Sequence, residues 1–214
     1  MARISHTSEK SNSSNNPTKR YLDWKSNNKS FEYYDKEAKE KVSVELPLKF
    51  VFLQHYHTVK GWHDASQSGI YSNEVFYIGS EEMNVKSFKG GPIASGLYKD
   101  IKVDLMNAGA KYHRSVYVML EDGTIANISM KGAVVKEWSD FIDVNKSLVD
   151  TKWVEVSSTK DQKKGSIKYS APEFKLGGDL NPNDIENADR SAEMLKEYLD
   201  AYFGKVEEEL EIGI

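Results

Sequence analysis

The stretch that most constrains the fold runs from residue 111 to residue 130. Along 111–120 the side chains alternate, with Val116, Val118 and Leu120 on one face and Tyr117 and Met119 on the other. Glu121-Asp122-Gly123 then supplies a turn, and 124–130 reads as the return strand. A period of two cannot be met by a helix, so a sheet has to form here and the remainder must pack on it. The aromatic content points the same way: the 12 Tyr, 8 Phe and 4 Trp often sit beside Lys, Arg, Ser or Asn, a pattern that suits pleated, half-buried surfaces. A chain of 214 residues with 39% hydrophobic content can bury a core of its own. The absence of cysteine excludes a disulfide framework, a thiolate metal site and a thiol nucleophile. No run approaches the roughly 20 apolar residues of a membrane span, and the N-terminus lacks a signal-like apolar region, so a soluble protein is expected.

Residues 1–20 are polar and predict a disordered arm. Residues 31–35 and 41–46 predict a hairpin, and 48–58, dense in Phe50, Val51, Phe52 and Leu53, a central strand. Two strands, 70–78 and 83–88, flank the polar turn 79–82, and 89–92 is expected to break the sheet. Ile93, Leu97, Ile101 and Leu105 recur at a spacing of four, predicting a helix that ends at Asn107-Ala108-Gly109. A short helix is expected over 133–142, and strands 153–157 and 166–174 are expected to pair across a basic loop, 160–165. A C-terminal helix opens at Asn183-Asp184, carries Met194, Leu195, Tyr198, Leu199 and Tyr202 as its apolar stripe, and closes at Gly204. This order predicts an α+β, mostly antiparallel fold, an OB-like barrel with extra strands, two short helices and a C-terminal helix. The expected division is an arm (1–20), an OB-like nucleic-acid-binding domain (21–182), a helix (183–204) and an acidic tail (205–214).

Charge is distributed unevenly along the chain. From Asn183 onward ten carboxylates oppose three cations, a balance of −7, so the total of −4 leaves +3 on residues 1–182. An acidic tail on a mildly basic body can occupy a groove offered to a polyanion; the plainer alternative is a solvated helix end.

Rings and cations interleave four times, around Lys60 and Trp62, around Lys86, Phe88 and Lys89, around Lys111, Tyr112 and Arg114, and around Lys163, Lys164 and Tyr169. Trp153 is a further candidate ring. Single-stranded nucleic acid calls for this pairing, because cations track phosphates and each exposed ring stacks a base. The competing reading makes the rings core residues and the lysines solubilising charge. His55 and His57 share a strand face, and with His63, Asp64 and His113 they raise the idea of a metal-dependent enzyme. Gly90-Gly91 precedes the predicted helix but matches neither the P-loop nor the dinucleotide fingerprint. Without a nucleophile elbow or a metalloprotease motif, neither an enzyme nor a cofactor is expected.

Blocks at Pro47-Leu48-Lys49-Phe50-Val51-Phe52-Leu53, Thr58-Val59-Lys60-Gly61-Trp62, Ser68-Gly69-Ile70-Tyr71-Ser72-Asn73-Glu74-Val75, Gly96-Leu97-Tyr98-Lys99-Asp100-Ile101-Lys102, Gly109-Ala110-Lys111-Tyr112, Ser115-Val116-Tyr117 and Lys131-Gly132-Ala133 through Trp138 follow in that order. Together they resemble single-stranded DNA-binding proteins with an OB-like core, encoded by tailed bacteriophages of Bacteroidetes. The resemblance implies a non-enzymatic binder of replication and recombination intermediates in the host cytoplasm, with single-stranded DNA as partner. It also implies that Glu207, Glu208, Glu209, Leu210, Glu211, Ile212 and Ile214 dock phage replication proteins, although this tip carries no aromatic ring. A homo-oligomer is compatible with the sequence, and the competing expectation is a virion structural or assembly protein whose aromatic surface meets other proteins.

Overall fold

The computed structural model describes the backbone of residues 15–212 and the side chains of residues 15–202. In chain order the elements are β1 (Arg20–Lys25), β2 (Ser30–Asp35), β3 (Glu40–Val44), β4 (Leu48–His63), β5 (Ser68–Ser72), β6 (Glu82–Ser87), β7 (Gly91–Leu97), α1 (Tyr98–Asn107), β8 (Ala110–Leu120), β9 (Ile125–Lys131), α2 (Ala133–Asn145), β10 (Lys152–Lys164), β11 (Ile167–Asp179) and α3 (Pro182–Ile212). They form two compact units, Met1–Gln54 with Val116–Ile214 and His55–Ser115, so β4 and β8 each contribute to both.

In the larger unit the strand order is β3-β2-β1-β9-β8-β4, and the β10-β11 hairpin joins β4 through Val154↔Phe50. β1 runs parallel to β9, from Arg20↔Ala126 to Asp23↔Ser129, whereas β1-β2, β2-β3 and β10-β11 are antiparallel. The sequence expectation contained no β1. Its apolar pair, Leu22 and Trp24, is buried, and Trp24 Nε1 donates to the Ser170 carbonyl at 2.9 Å. The core centres on Trp138 of α2, fully buried and set edge-on to Phe52 at 5.4 Å and Phe174 at 5.1 Å. Truncating such a ring costs about 3–5 kcal/mol, which makes Trp138 the anchor of this unit. Val116, Val118 and Leu120 join that core as the alternation predicts, and Tyr117 and Met119 are buried as well.

The hairpin and the last helix differ from expectation in extent. Residues 160–164 are strand, Lys163 lying opposite Lys168, and only Gly165-Ser166 forms the turn. α3 starts one residue earlier than expected, with a reciprocal cap: Asp184 N–H donates to Asn181 Oδ1 at 2.9 Å, and Asn181 N–H to Asp184 Oδ2 at 3.3 Å. Its buried stripe is Ala188, Ala192, Leu195 and Leu199, while Met194 is 44% exposed. The helix also passes through Gly204 to Ile212. A glycine costs a helix interior about 1 kcal/mol relative to alanine, and the backbone stays helical through it. The side chains of Glu207, Glu208, Glu209, Leu210, Glu211 and Ile212, and residues 1–14 and 213–214 altogether, lie outside the described residues.

The smaller unit orders its strands β8-β4-β5-β6-β7 and covers one face with α1. Val59, Ile70, Met83, Val85 and Ala110 form its core with Ile101 and Leu105 of the helix. β7 occupies residues expected to break the sheet and start the helix. A spacing of four is even, so Ile93 and Leu97 satisfy a strand as well as a helix, and α1 begins only after Gly96, whose φ is 140°. β5 is shorter than expected, because after Ser72 the chain keeps only an isolated bridge, His57↔Val75. β3 and β7 each have a single neighbour, so the strands do not close into a ring. The α+β, strand-dominated class is as expected; the closed OB-like barrel is not formed.

Candidate nucleic-acid interface

The registers of the smaller unit decide which side chains meet. Lys60 lies opposite Tyr71, and Tyr71 opposite Lys86, so one row across β4, β5 and β6 reads cation, ring, cation. The next row holds Trp62 opposite Gly69, and Phe88, just past β6, lies over that glycine. A Cβ at position 69 would come within 3.2 Å of the Phe88 ring, so glycine leaves the space the ring uses. Directly paired residues share a face, and all of these point away from α1, since Val59, Ile70 and Val85 point toward it. Trp62 is 52% and Phe88 72% exposed, and Tyr71 stacks on Phe88 with centroids 4.5 Å apart and planes 26° apart. Lys111, adjacent to the core residue Ala110 on β8, alternates onto this same face. Glu82 on β6 stands four residues from Lys86 and bounds the basic region.

Hydroxyl groups fix the turns that carry these rings. His63 Nδ1 is 2.7 Å from Ser66 Oγ, and Ser66 Oγ 2.9 Å from Ser68 Oγ. Ser68 Oγ accepts the Lys89 N–H at 3.1 Å, and Ser87 Oγ accepts the Gly90 N–H at 2.9 Å. A Cβ on Gly90 would come within 2.5 Å of Ser87 Oγ, so the Gly90-Gly91 pair serves the β6-β7 turn. Behind the ring face two glycines let β4 and β8 approach closely. A Cβ on Gly61 would lie 2.4 Å from the Gly109 carbonyl oxygen, and one on Gly109 2.4 Å from that of Trp62.

Tyr112 and Arg114 share a face as the period predicts, but it is the α1 face, away from the rings. Tyr112 Oη lies 2.5 Å from His57 Nδ1, its ring is 5.5 Å from that of Tyr98, and Arg114 Nη2 is 3.5 Å from His57 Nε2. Burial first, and the Arg114 charge second, hold His55 down at about 3 and His57 at about 4. Burial, with Tyr112 close by, raises the Tyr98 hydroxyl. A cation beside both imidazoles opposes a metal ion, and no group of three potential metal ligands occurs among the described residues.

The remaining candidates belong to the larger unit. Trp153 is half-buried and donates from Nε1 to Asp184 Oδ2 at 3.3 Å, so it ties β10 to the start of α3 instead of presenting a free ring. Lys163 and Tyr169 line a cleft of about 520 Å³ with Lys29 and Lys168; Lys164 lies next to it at the hairpin end. Asp161 pairs with Lys29 at 2.9 Å and offsets part of the cleft's charge. The twelve candidates therefore fall into one ring face (Lys60, Trp62, Lys86, Phe88, Lys111), one residue of the adjoining β6-β7 turn (Lys89), one pair behind the face (Tyr112, Arg114), one cleft edge (Lys163, Lys164, Tyr169) and one structural tryptophan (Trp153). Sequence reading missed Tyr71, whose flanking lysines come from neighbouring strands.

The geometry defines an α+β protein with an exposed ring-and-lysine sheet face. No family model matches the chain, and neither a curated protein nor a solved structure matches it. No helix among the described residues is long and apolar enough to cross a membrane.

Proposed function

We propose that this protein binds single-stranded DNA without reading its sequence, as a non-enzymatic factor in phage replication or recombination in the host cytoplasm. The observation that carries this reading is the single sheet face on which Trp62, Tyr71 and Phe88 stand among Lys60, Lys86 and Lys111. Tyr71 and Phe88 stack on each other but leave much of each ring in solvent, and a stacked base recovers roughly 1–3 kcal/mol per ring. The lysines serve phosphates as point charges, which tolerates any sequence. The acidic C-terminal segment competes for that face and docks replication proteins in this reading. The OB-like core implied by the resemblance is here an open sheet, and binding uses its face, not a barrel groove.

Anisotropy titration of labelled oligo-dT at two salt concentrations tests the proposal. Lys60, Lys86, Lys89 and Lys111 contacting four phosphates predict a slope of log affinity on log salt of about −3. Phe88→Ala is expected to weaken binding by about 1–3 kcal/mol, roughly 5- to 150-fold, without unfolding a residue already 72% exposed. Absence of binding at low salt overturns the reading and leaves the face as a protein interface.

A further inference from the structure

The histidine pair that suggests a cation site in the sequence is turned by the fold into the reverse. Arg114 on β8 brings its guanidinium to 3.5 Å from His57 Nε2 of β4, and burial first, with the Arg114 charge second, keeps His57 and His55 neutral. Among the described residues no carboxylate lies within ion-pair distance of Arg114, and its Nε is buried without an acceptor. Tyr112 Oη closes the group from its own strand, 2.5 Å from His57 Nδ1, with the Tyr98 ring behind it at the start of α1. The cluster thus carries a net positive charge and leaves the buried Arg114 Nε without an acceptor, while among the described residues Arg114 Nη2 has only the long contact to His57 Nε2.

We propose that Arg114, His57 and Tyr112 form an oxyanion site that takes a phosphate group, either free phosphate or a phosphate of a nucleotide. An oxyanion supplies the missing negative charge and enough lone pairs for the guanidinium, an imidazole N–H and the phenol together. Half-burial strengthens each of these contacts relative to bulk water. The planar guanidinium suits a two-oxygen contact that a lysine would not provide. The site stands on the α1 face, opposite Trp62 and Phe88, so it is independent of the ring-face reading.

NMR titration of the His57 ring in the full chain tests it, using inorganic phosphate and, separately, the dinucleotide dTpdT, which carries one phosphodiester. A bound anion favours the charged imidazole, so the His57 titration is expected to move up from about 4 by about one pH unit or more. Response to inorganic phosphate alone assigns the site to free or terminal phosphate; response to dTpdT assigns it to a strand. Arg114→Gln is expected to abolish the shift, Arg114→Lys to retain only part of it, and Trp62→Ala to leave it unchanged. No shift with either probe in the wild-type chain, or an equal shift in Arg114→Gln, overturns the site whatever becomes of DNA binding at the rings.

Discussion

Trp62 and Trp153 show how little a residue's type says about its role. Both sit near lysines in sequence, yet one is half in solvent on a sheet face and the other spends its N–H on the cap residue Asp184. Each has a glycine beside it, Gly69 for Trp62 and Gly177 for Trp153, and the difference is Asp184, which reaches Trp153 from α3, 31 residues on in sequence. For the same reason Tyr71 was illegible: the cations beside it are Lys60 and Lys86, on other strands. Phe88 and Lys111, next to cations or a core residue in sequence, could be read directly. His55 and His57 yield a prediction at this scale. The unfolded chain takes up protons there near pH 6.5, but burial first, and the Arg114 charge second, hold His57 neutral to about 4 and His55 to about 3 in the fold. The pair's contribution to stability is therefore full above pH 6.5 and lost as pH falls toward 4 for His57 and toward 3 for His55, with a slope of up to about 1.4 kcal/mol per pH unit for the more buried His55 and less for His57, which solvent screens. Urea unfolding followed downward from neutral pH checks this, and a flat profile would contradict the burial of the pair.

Among the elements, the period-two signal of β8 and β9 was strong enough to survive folding unchanged. β1 was not legible because a six-residue strand after a polar lead finds its partner, β9, more than a hundred residues away. β7 was mistaken for the start of a helix because every fourth position also satisfies a strand. The β10-β11 hairpin was shortened because a largely solvent-facing ladder needs no apolar alternation. The close approach of β4 and β8 in the smaller unit depends on glycine at both contacts. Gly61→Ala is predicted to destabilise the fold by about 1–3 kcal/mol, through a Cβ only 2.4 Å from the Gly109 carbonyl oxygen. Because Trp62 follows directly, the same change should weaken oligo-dT binding. Gly79→Ala, with no atom within 4 Å of the new Cβ, is the matched control, and equal thermal shifts for the two would refute the argument.

For the whole molecule, charge is divided along the sequence between a mildly basic body and an acidic C-terminal segment. Composition gave this asymmetry plainly, +3 on residues 1–182 against −7 beyond. The fold extends the backbone of the segment as helix to Ile212. Removing residues 205–214 is predicted to tighten oligo-dT binding at low salt and to change little at high salt, where the competition is screened. Affinity unchanged at low salt would mean that the segment never competes for the face. The central claim is that DNA lies on the Trp62 face, and tryptophan fluorescence reads it most directly. Trp24 and Trp138 are buried and Trp153 is hydrogen-bonded, which leaves Trp62 as the exposed reporter among four tryptophans. Oligo-dT is predicted to quench the wild-type emission partially and saturably, and to quench Trp62→Phe scarcely at all while still binding it. Equal quenching in both proteins, or binding with no quenching in either, would place the DNA elsewhere and contradict the account.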